Sequence, residues 1–116
     1  MGLGIDIVYV PRIARLIEEN DRFINRYFSD EEKVLFIKRS YSPEVVASNY
    51  ASKEAFLKAT KKEDVFDLRD MCILRHDSGE PYIEFKNKKL ELKYKDRIDI
   101  SISHDNEYVI SVVTVG

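Results

Sequence analysis

With a single cysteine, Cys72, no internal disulfide can form, so nothing in this chain requires an oxidising compartment. No apolar run approaches the roughly 20 residues needed to span a bilayer. Met1-Gly2-Leu3-Gly4 leads at once into a strand-like run with no signal-peptide character. A cytoplasmic location is therefore expected, with no membrane partner. Internal repeats, low-complexity tracts and long linkers are missing too, so the 116 residues read as one domain, 1–116. Net charge is also scarce. At −2 the chain lacks the clearly basic balance of a general nucleic-acid binder, although local basic patches remain open.

What is present is a soluble globular composition. Apolar residues at 44% exclude a disordered chain, and charged residues at 34% supply a hydrated surface. After one strand, the part up to about Lys62 reads as mostly helical, and the rest as mostly strand. That segregation predicts an α+β fold: an N-terminal strand, several helices including one long central helix, then an antiparallel sheet of C-terminal hairpins.

Leu3 to Val10 reads as the first strand. Leu3, Ile5, Ile7 and Tyr9 fall on one face, and Gly4, Asp6, Val8 and Val10 on the other. Asp6 is the anomaly, because an ionised carboxylate in a buried-looking run needs compensation. It either caps backbone amides at the strand end or binds a metal. Pro11 opens a helix to about Asn20 with Ile13, Leu16 and Ile17 inward, and helix continues from Asp21 to Phe28. Ser29-Asp30-Glu31-Glu32 is a capping box for a helix to about Arg39, whose Val34, Leu35, Phe36 and Ile37 predict deep burial.

The central helix begins with Ser42 at the N-cap and Pro43 at the first helical position. Val46, Tyr50 and Leu57 form one apolar stripe. Ala47, Ala51, Glu54 and Lys58 form another face, where the alanines admit close backbone approach. Glu54 and Lys58, four apart, point the same way. Downstream, Met71 to Arg75 and Tyr82 to Phe85 are strands joined by the turn Asp77-Ser78-Gly79-Glu80-Pro81. Asn87 to Lys95 fits either a strand or a poor helix. Ile98 to His104 alternates strictly, and with Tyr108 to Val115 it makes a terminal hairpin.

Three blocks of this pattern carry a resemblance. Asn49-Tyr50-Ala51-Ser52-Lys53-Glu54-Ala55-Phe56-Leu57-Lys58-Ala59 resembles the Phe-x-x-Lys-Glu-Ala-x-x-Lys-Ala signature of 4′-phosphopantetheinyl transferases of the small holo-acyl-carrier-protein synthase type, with Tyr50 as the aromatic. Gly4-Ile5-Asp6-Ile7-Val8 with Arg12-Ile13 is similar to that family's opening. Ser101-Ile102-Ser103-His104 with Tyr108 is similar to its C-terminal motif.

The resemblance implies transfer of a phosphopantetheine arm from coenzyme A to a serine of an acyl carrier protein. It implies Asp6 and Glu54 as ligands of Mg2+, with Asp6, Glu54 and Lys58 catalytic. Lys53, Lys58, Gly79, Pro81 and His104 are implied as coenzyme A contacts, and Arg12, Arg22 and Arg26 as the dock for an acidic carrier. A homotrimer with coenzyme A at subunit boundaries is implied as well. Two carboxylates suit magnesium, which takes few protein ligands and completes its shell with phosphate and water.

The chain departs from the family in several places. Lys61-Lys62-Glu63-Asp64 stands where a Gly-rich turn is usual, and Asn49 where many relatives carry arginine. Glu80 replaces a frequent basic residue, and Asp105 a hydroxyl residue. Two other readings of the same residues stay open. One is a different Mg-dependent phosphotransferase or nuclease using Asp6 and Glu54. The other is a non-catalytic α+β interaction module in which both carboxylates are structural.

Overall fold

The computed structural model describes residues 1–116. The chain runs through β1 (Gly2–Tyr9), α1 (Val10–Glu19), α2 (Arg22–Tyr27), α3 (Asp30–Lys38) and α4 (Pro43–Ala59). A single 3-10 turn, Leu68–Asp70, leads into β2 (Met71–Arg75) and β3 (Pro81–Phe85). α5 (Lys88–Tyr94), β4 (Ile98–Asp105) and β5 (Tyr108–Val115) complete the α+β fold. No helix is long and apolar enough to cross a membrane.

The strands form two antiparallel sheets rather than one. β1 pairs with β5 and β5 with β4, in the order β1-β5-β4, while β2 and β3 make a separate hairpin. α4 runs between them. On one side its Ala51, Ala55 and Ala59 meet Val8, Val109, Val113 and Val115. On the other, Phe56 packs with Met71, Ile73 and Phe85, and Leu90 and Tyr94 of α5 close that cluster. Phe56 is enclosed by Phe66, Phe85 and Tyr94 at ring separations of 5.1 to 6.2 Å. Truncating so central a ring to alanine costs about 3–5 kcal/mol in typical cores.

The capping box at Ser29 forms as the sequence predicts: its hydroxyl accepts from the Glu32 backbone, and Glu32 answers to the Ser29 amide. Ser42 occupies the N-cap of α4, but its side chain makes no capping bond. The open segment Asn87 to Lys95 is a helix, capped by Asn87, whose side chain accepts from the amides of Lys89 and Leu90.

Two expectations about burial are corrected. α3 is not deeply buried all round. Phe36 and Glu32 go inward, whereas Val34 and Ile37 are 53% and 66% exposed. The mixed faces follow from position, since residues one apart on a helix are about 100° apart and only one stripe reaches the core. The first strand, which reads as a buried run, is likewise covered on one face only. Gly4 and Val8 face α4, while Ile5 and Ile7 are 55% and 59% exposed. Through the β1–β5 register this apolar surface continues onto Tyr108, Ile110 and Val112. The sheet thus has one face packed on α4 and a second, largely aliphatic face with nothing of its own chain upon it.

Candidate active site

β1 lies unusually close to α4 because both surfaces are nearly bare. A β-carbon at Gly2 would collide with the backbone carbonyl of Ala59, and one at Gly4 with that of Ala55. Glycine is required for this approach, and the alanines opposite permit it. Asp6 follows Gly4 on the same face of the strand, and Lys58 reaches it across the seam. Lys58 Nζ lies 3.2 Å from Asp6 Oδ1 and donates to the Ile5 carbonyl at 2.9 Å. Lys58 therefore pairs with Asp6 rather than with Glu54 one turn earlier. Asp6 is mostly covered, Lys58 is exposed, and Glu54 is half-buried beside them.

Tyr50, one turn before Glu54, links this seam to the helical side. Its ring stacks on Tyr27 at 5.9 Å with 19° between planes. Burial raises its hydroxyl above the usual phenol range. Nearby Glu54, Tyr27 and Asp6 raise it further, while Arg12 opposes them. Arg12 on α1 and Arg22 and Arg26 on α2 are all exposed. Arg22, Arg26, Tyr27 and Tyr50 line one shallow groove of about 490 Å³. The three arginines thus border the same stretch of α4 that carries Glu54.

Lys53 requires a correction. It was expected to contact coenzyme A, but it points into the core and is only 2% exposed. Its ammonium donates to Glu32 Oε1 at 2.6 Å, to the Tyr27 carbonyl at 2.6 Å and to the Leu68 carbonyl at 2.8 Å. An ammonium has three donors, and all three are used. Burial, the largest influence, holds Lys53 below the usual ammonium range, and Glu32 pulls it back up. The residue that motif matching places beside Glu54 is one helical step away in angle, and that step turns it inward. It ties α4 to the ends of α2 and α3 and to the 3-10 turn.

The other expected contacts gather elsewhere. Gly79, Pro81 and His104 line a cleft of about 260 Å³ together with Arg39, Ser48 and Arg75. His104 is exposed, not a core residue, and its Nε2 lies 3.2 Å from Glu44 Oε1. Asp6 is on β1 and His104 on β4, the two edge strands of the three-stranded sheet. Asp6 pairs with Ser111 and His104 with Val109, two residues away on β5, so with strands about 4.8 Å apart and about 3.3 Å per residue the two are separated by about 12 Å, with α4 lying over the sheet between them. One chain therefore joins Asp6, Glu54 and Lys58 along one edge, and Gly79, Pro81 and His104 along the other, but not the two sets.

Sequence reasoning missed Glu32, Arg39 and Arg75. Asn49 is fully buried and donates to Glu32 Oε2 and to the Ile73 carbonyl, both at 2.9 Å. Its oxygen accepts from Arg75 at 3.0 Å. A capping-box glutamate was the only signal for Glu32, and nothing in the sequence connects position 75 with position 49.

The turn after α4 is also accounted for. Lys61 and Lys62 both adopt positive φ, 55° each, where glycine would be at ease. The loop is tied down from α5: the Tyr94 hydroxyl donates to Glu63 and Asp64, and Lys93 pairs with both.

Set beside known proteins, the sequence and the fold have many counterparts. The profile of the 4′-phosphopantetheinyl transferase superfamily matches residues 2–113. A holo-[acyl-carrier-protein] synthase of Alkaliphilus metalliredigens is 39% identical over 95% of this chain and 93% of its own. Among solved structures, the holo-[acyl-carrier-protein] synthase of Neisseria meningitidis superposes with a TM-score of 0.86 at 27% identity, covering 99% of this chain and 97% of that one. The Helicobacter pylori synthase, solved in complex with coenzyme A, gives a TM-score of 0.81 at 29% identity, covering 98% and 99%. Motif, profile and fold agree over nearly the full length, and the chain belongs to the 4′-phosphopantetheinyl transferase superfamily.

Proposed function

We propose that this chain transfers the 4′-phosphopantetheine arm of coenzyme A to a serine of an apo acyl carrier protein, releasing 3′,5′-ADP. The observation that carries the reading is the pairing of Lys58 with Asp6 across the strand–helix seam, beside Glu54. There an anionic pyrophosphate would meet carboxylates and an ammonium in one place. The superfamily membership and the coenzyme A complex of the Helicobacter relative support the same conclusion.

In the reaction, the serine oxygen forms a bond to the phosphorus that bears the pantetheine arm. The bond from that phosphorus to the bridging oxygen breaks, and the electron pair leaves with 3′,5′-ADP. Lys58 neutralises phosphate oxygen as charge moves toward the leaving group. The serine proton goes to Glu54, or to a water that Glu54 orients; both satisfy the need for a nearby base. Tyr50 and Tyr27 wall the helical side of this site.

Magnesium fits the donor set. No three His, Cys, Asp or Glu side chains form a full cage, and none is needed, since this ion takes one or two carboxylates with phosphate and water. Asp6 and Glu54 would hold it. When bound, it would offset the pyrophosphate charge and orient the leaving group.

The carrier docks on Arg22 and Arg26, which line the groove at Tyr50, and on Arg12, whose charge also acts on Tyr50. Complementary charge there speeds encounter and fixes orientation. The functional unit is a homotrimer. The uncovered aliphatic face of β1 and β5 suits contact with another copy, and in a closed ring of three that contact joins two different patches, head to tail. Such a contact would let the Asp6 edge of one copy complete its site with the His104 edge of the next.

Incubation with apo acyl carrier protein, magnesium and coenzyme A, followed by intact-mass measurement, tests the assignment. A carrier gaining one phosphopantetheine arm supports it. An unmodified carrier, with the protein folded and coenzyme A intact, rejects it.

A further inference from the structure

The cleft beside β4 holds more positive charge than the chain itself balances. Arg75, the last residue of β2, is half-buried. One terminal nitrogen donates to Ser48 Oγ at 2.8 Å and Asn49 Oδ1 at 3.0 Å, and the other to the Leu74 carbonyl at 3.2 Å. A guanidinium has five N–H groups, so two remain unspent. Arg75 forms no salt bridge with any carboxylate of the chain. Asn49 connects it to Glu32, but the Glu32 charge is already matched by Lys53. The linked group Lys53–Glu32–Asn49–Arg75 thus contains two cations and one anion.

Arg39, at the C-cap of α3, adds another cation on the same cleft. Burial, and then Arg39, hold Arg75 below the usual guanidinium range. Glu44 is the one carboxylate lining the cleft, and it faces His104 at 3.2 Å. Holding a guanidinium half-buried, hydrogen-bonded in place and without a counter-charge is costly unless an anion arrives. Its planar fork suits phosphate in particular.

We propose that Arg75 and Arg39 bind the isolated phosphate monoester of coenzyme A, and so set this chain's discrimination between coenzyme A and its 3′-dephospho form. The proposal rests on the transferase reading. There the pyrophosphate belongs to the Asp6 and Lys58 edge, which leaves the ribose 3′-phosphate as the one remaining dianion. Asn49 then has a definite part: it holds a guanidinium supplied by β2 instead of supplying one from α4.

Transfer kinetics with coenzyme A and with 3′-dephospho-coenzyme A test this in wild type, Arg39→Gln and Arg75→Gln. Calorimetric binding of 3′,5′-ADP and of 5′-ADP runs alongside. Wild type should favour the 3′-phosphorylated partner in each pair by about tenfold or more, the ratio one charge-assisted hydrogen bond supplies. Each variant should raise KM for coenzyme A several-fold and leave 3′-dephospho-coenzyme A within about twofold, collapsing the preference. Equal losses for both donors, or an unchanged preference in Arg39→Gln, overturn the proposal. Should Arg75→Gln unfold, Arg39→Gln decides alone, because Arg39 is exposed. If wild type transfers nothing from either donor, the transferase reading fails. The two nucleotide titrations then judge the anion pocket by themselves.

Discussion

Lys58 Nζ lies 3.2 Å from Asp6 Oδ1, so the carboxylate proposed as a metal ligand already has a cation beside it. Asp6 and Glu54 are therefore not two bare like charges forced together. Asp6→Asn should cost no more than about 1 kcal/mol, the scale of a partly exposed ion pair, and Glu54→Gln should fold like wild type. Both should lose most transfer activity. Magnesium with coenzyme A should raise the melting temperature of wild type, as a ligand of the native state does, and the increment should shrink in both variants. An undiminished increment in Asp6→Asn would make Asp6 a structural partner of Lys58 only.

Lys53 should behave as a core residue. Lys53→Ala leaves Glu32 buried without its cation and should cost about 3–5 kcal/mol in denaturant unfolding. Replacing both together, Lys53→Met with Glu32→Leu, should recover much of that loss, and a double-mutant cycle measures the coupling. A Lys53→Met variant that unfolds like wild type but binds coenzyme A poorly would restore the phosphate-contact role.

Two inactive variants should rescue each other if the site is shared between copies. Asp6→Asn disables one edge of the sheet, and His104→Ala the other. Mixed under conditions that let subunits exchange, they should regain about a quarter of wild-type activity, since random closed assembly pairs the two intact edges at one contact in four. Each alone stays inactive. Ile7→Glu, on the uncovered face, should dissociate the assembly by light scattering without unfolding the chain. An active Ile7→Glu monomer would remove the assembly claim.

Carrier docking should depend on salt. Arg22→Glu and Arg26→Glu should weaken carrier binding while leaving coenzyme A binding nearly intact. Raising ionic strength should weaken the wild-type encounter in the same way, because exposed charges are screened over about 8–10 Å. Parallel losses of carrier and coenzyme A affinity would indicate damage to the fold.

Asp67 offers a test by acid titration. Hydrogen bonding from the Arg69 side chain, chiefly, lowers its carboxyl to about 2. A folded value below the unfolded one stabilises at higher pH and is lost on acidification. The window here runs from about 4 down to about 2. The pair is exposed, so the stability change should be small. Carboxyl NMR should show the low midpoint in wild type and a return toward the ordinary aspartate value in Arg69→Gln.

The long helix, the first strand and both later hairpins were legible because alternation, capping residues and turn chemistry are local. What the sequence hid was non-local. β1 looked like a buried run on both faces, since periodicity cannot tell a face covered by its own chain from one left open. Lys53 was drawn to the site by its neighbour Glu54, although a single step around the helix separates core from surface. Leu90 and Leu92 were too few to reveal α5, and its clearest signal was the Asn87 cap. Arg75 and Asn49 meet only because β2 packs beside α4.

Gly2 and Gly4 also act as a gauge. A strand that slid by two residues along α4 would bring Asp6 to the place of Gly4, where any β-carbon meets the Ala55 carbonyl. That slide is therefore closed to β1. The reach from Asp6 to Lys58 is fixed by two residues that have no side chain to offer, and a Gly4→Ala change should be felt first as a carboxylate out of position.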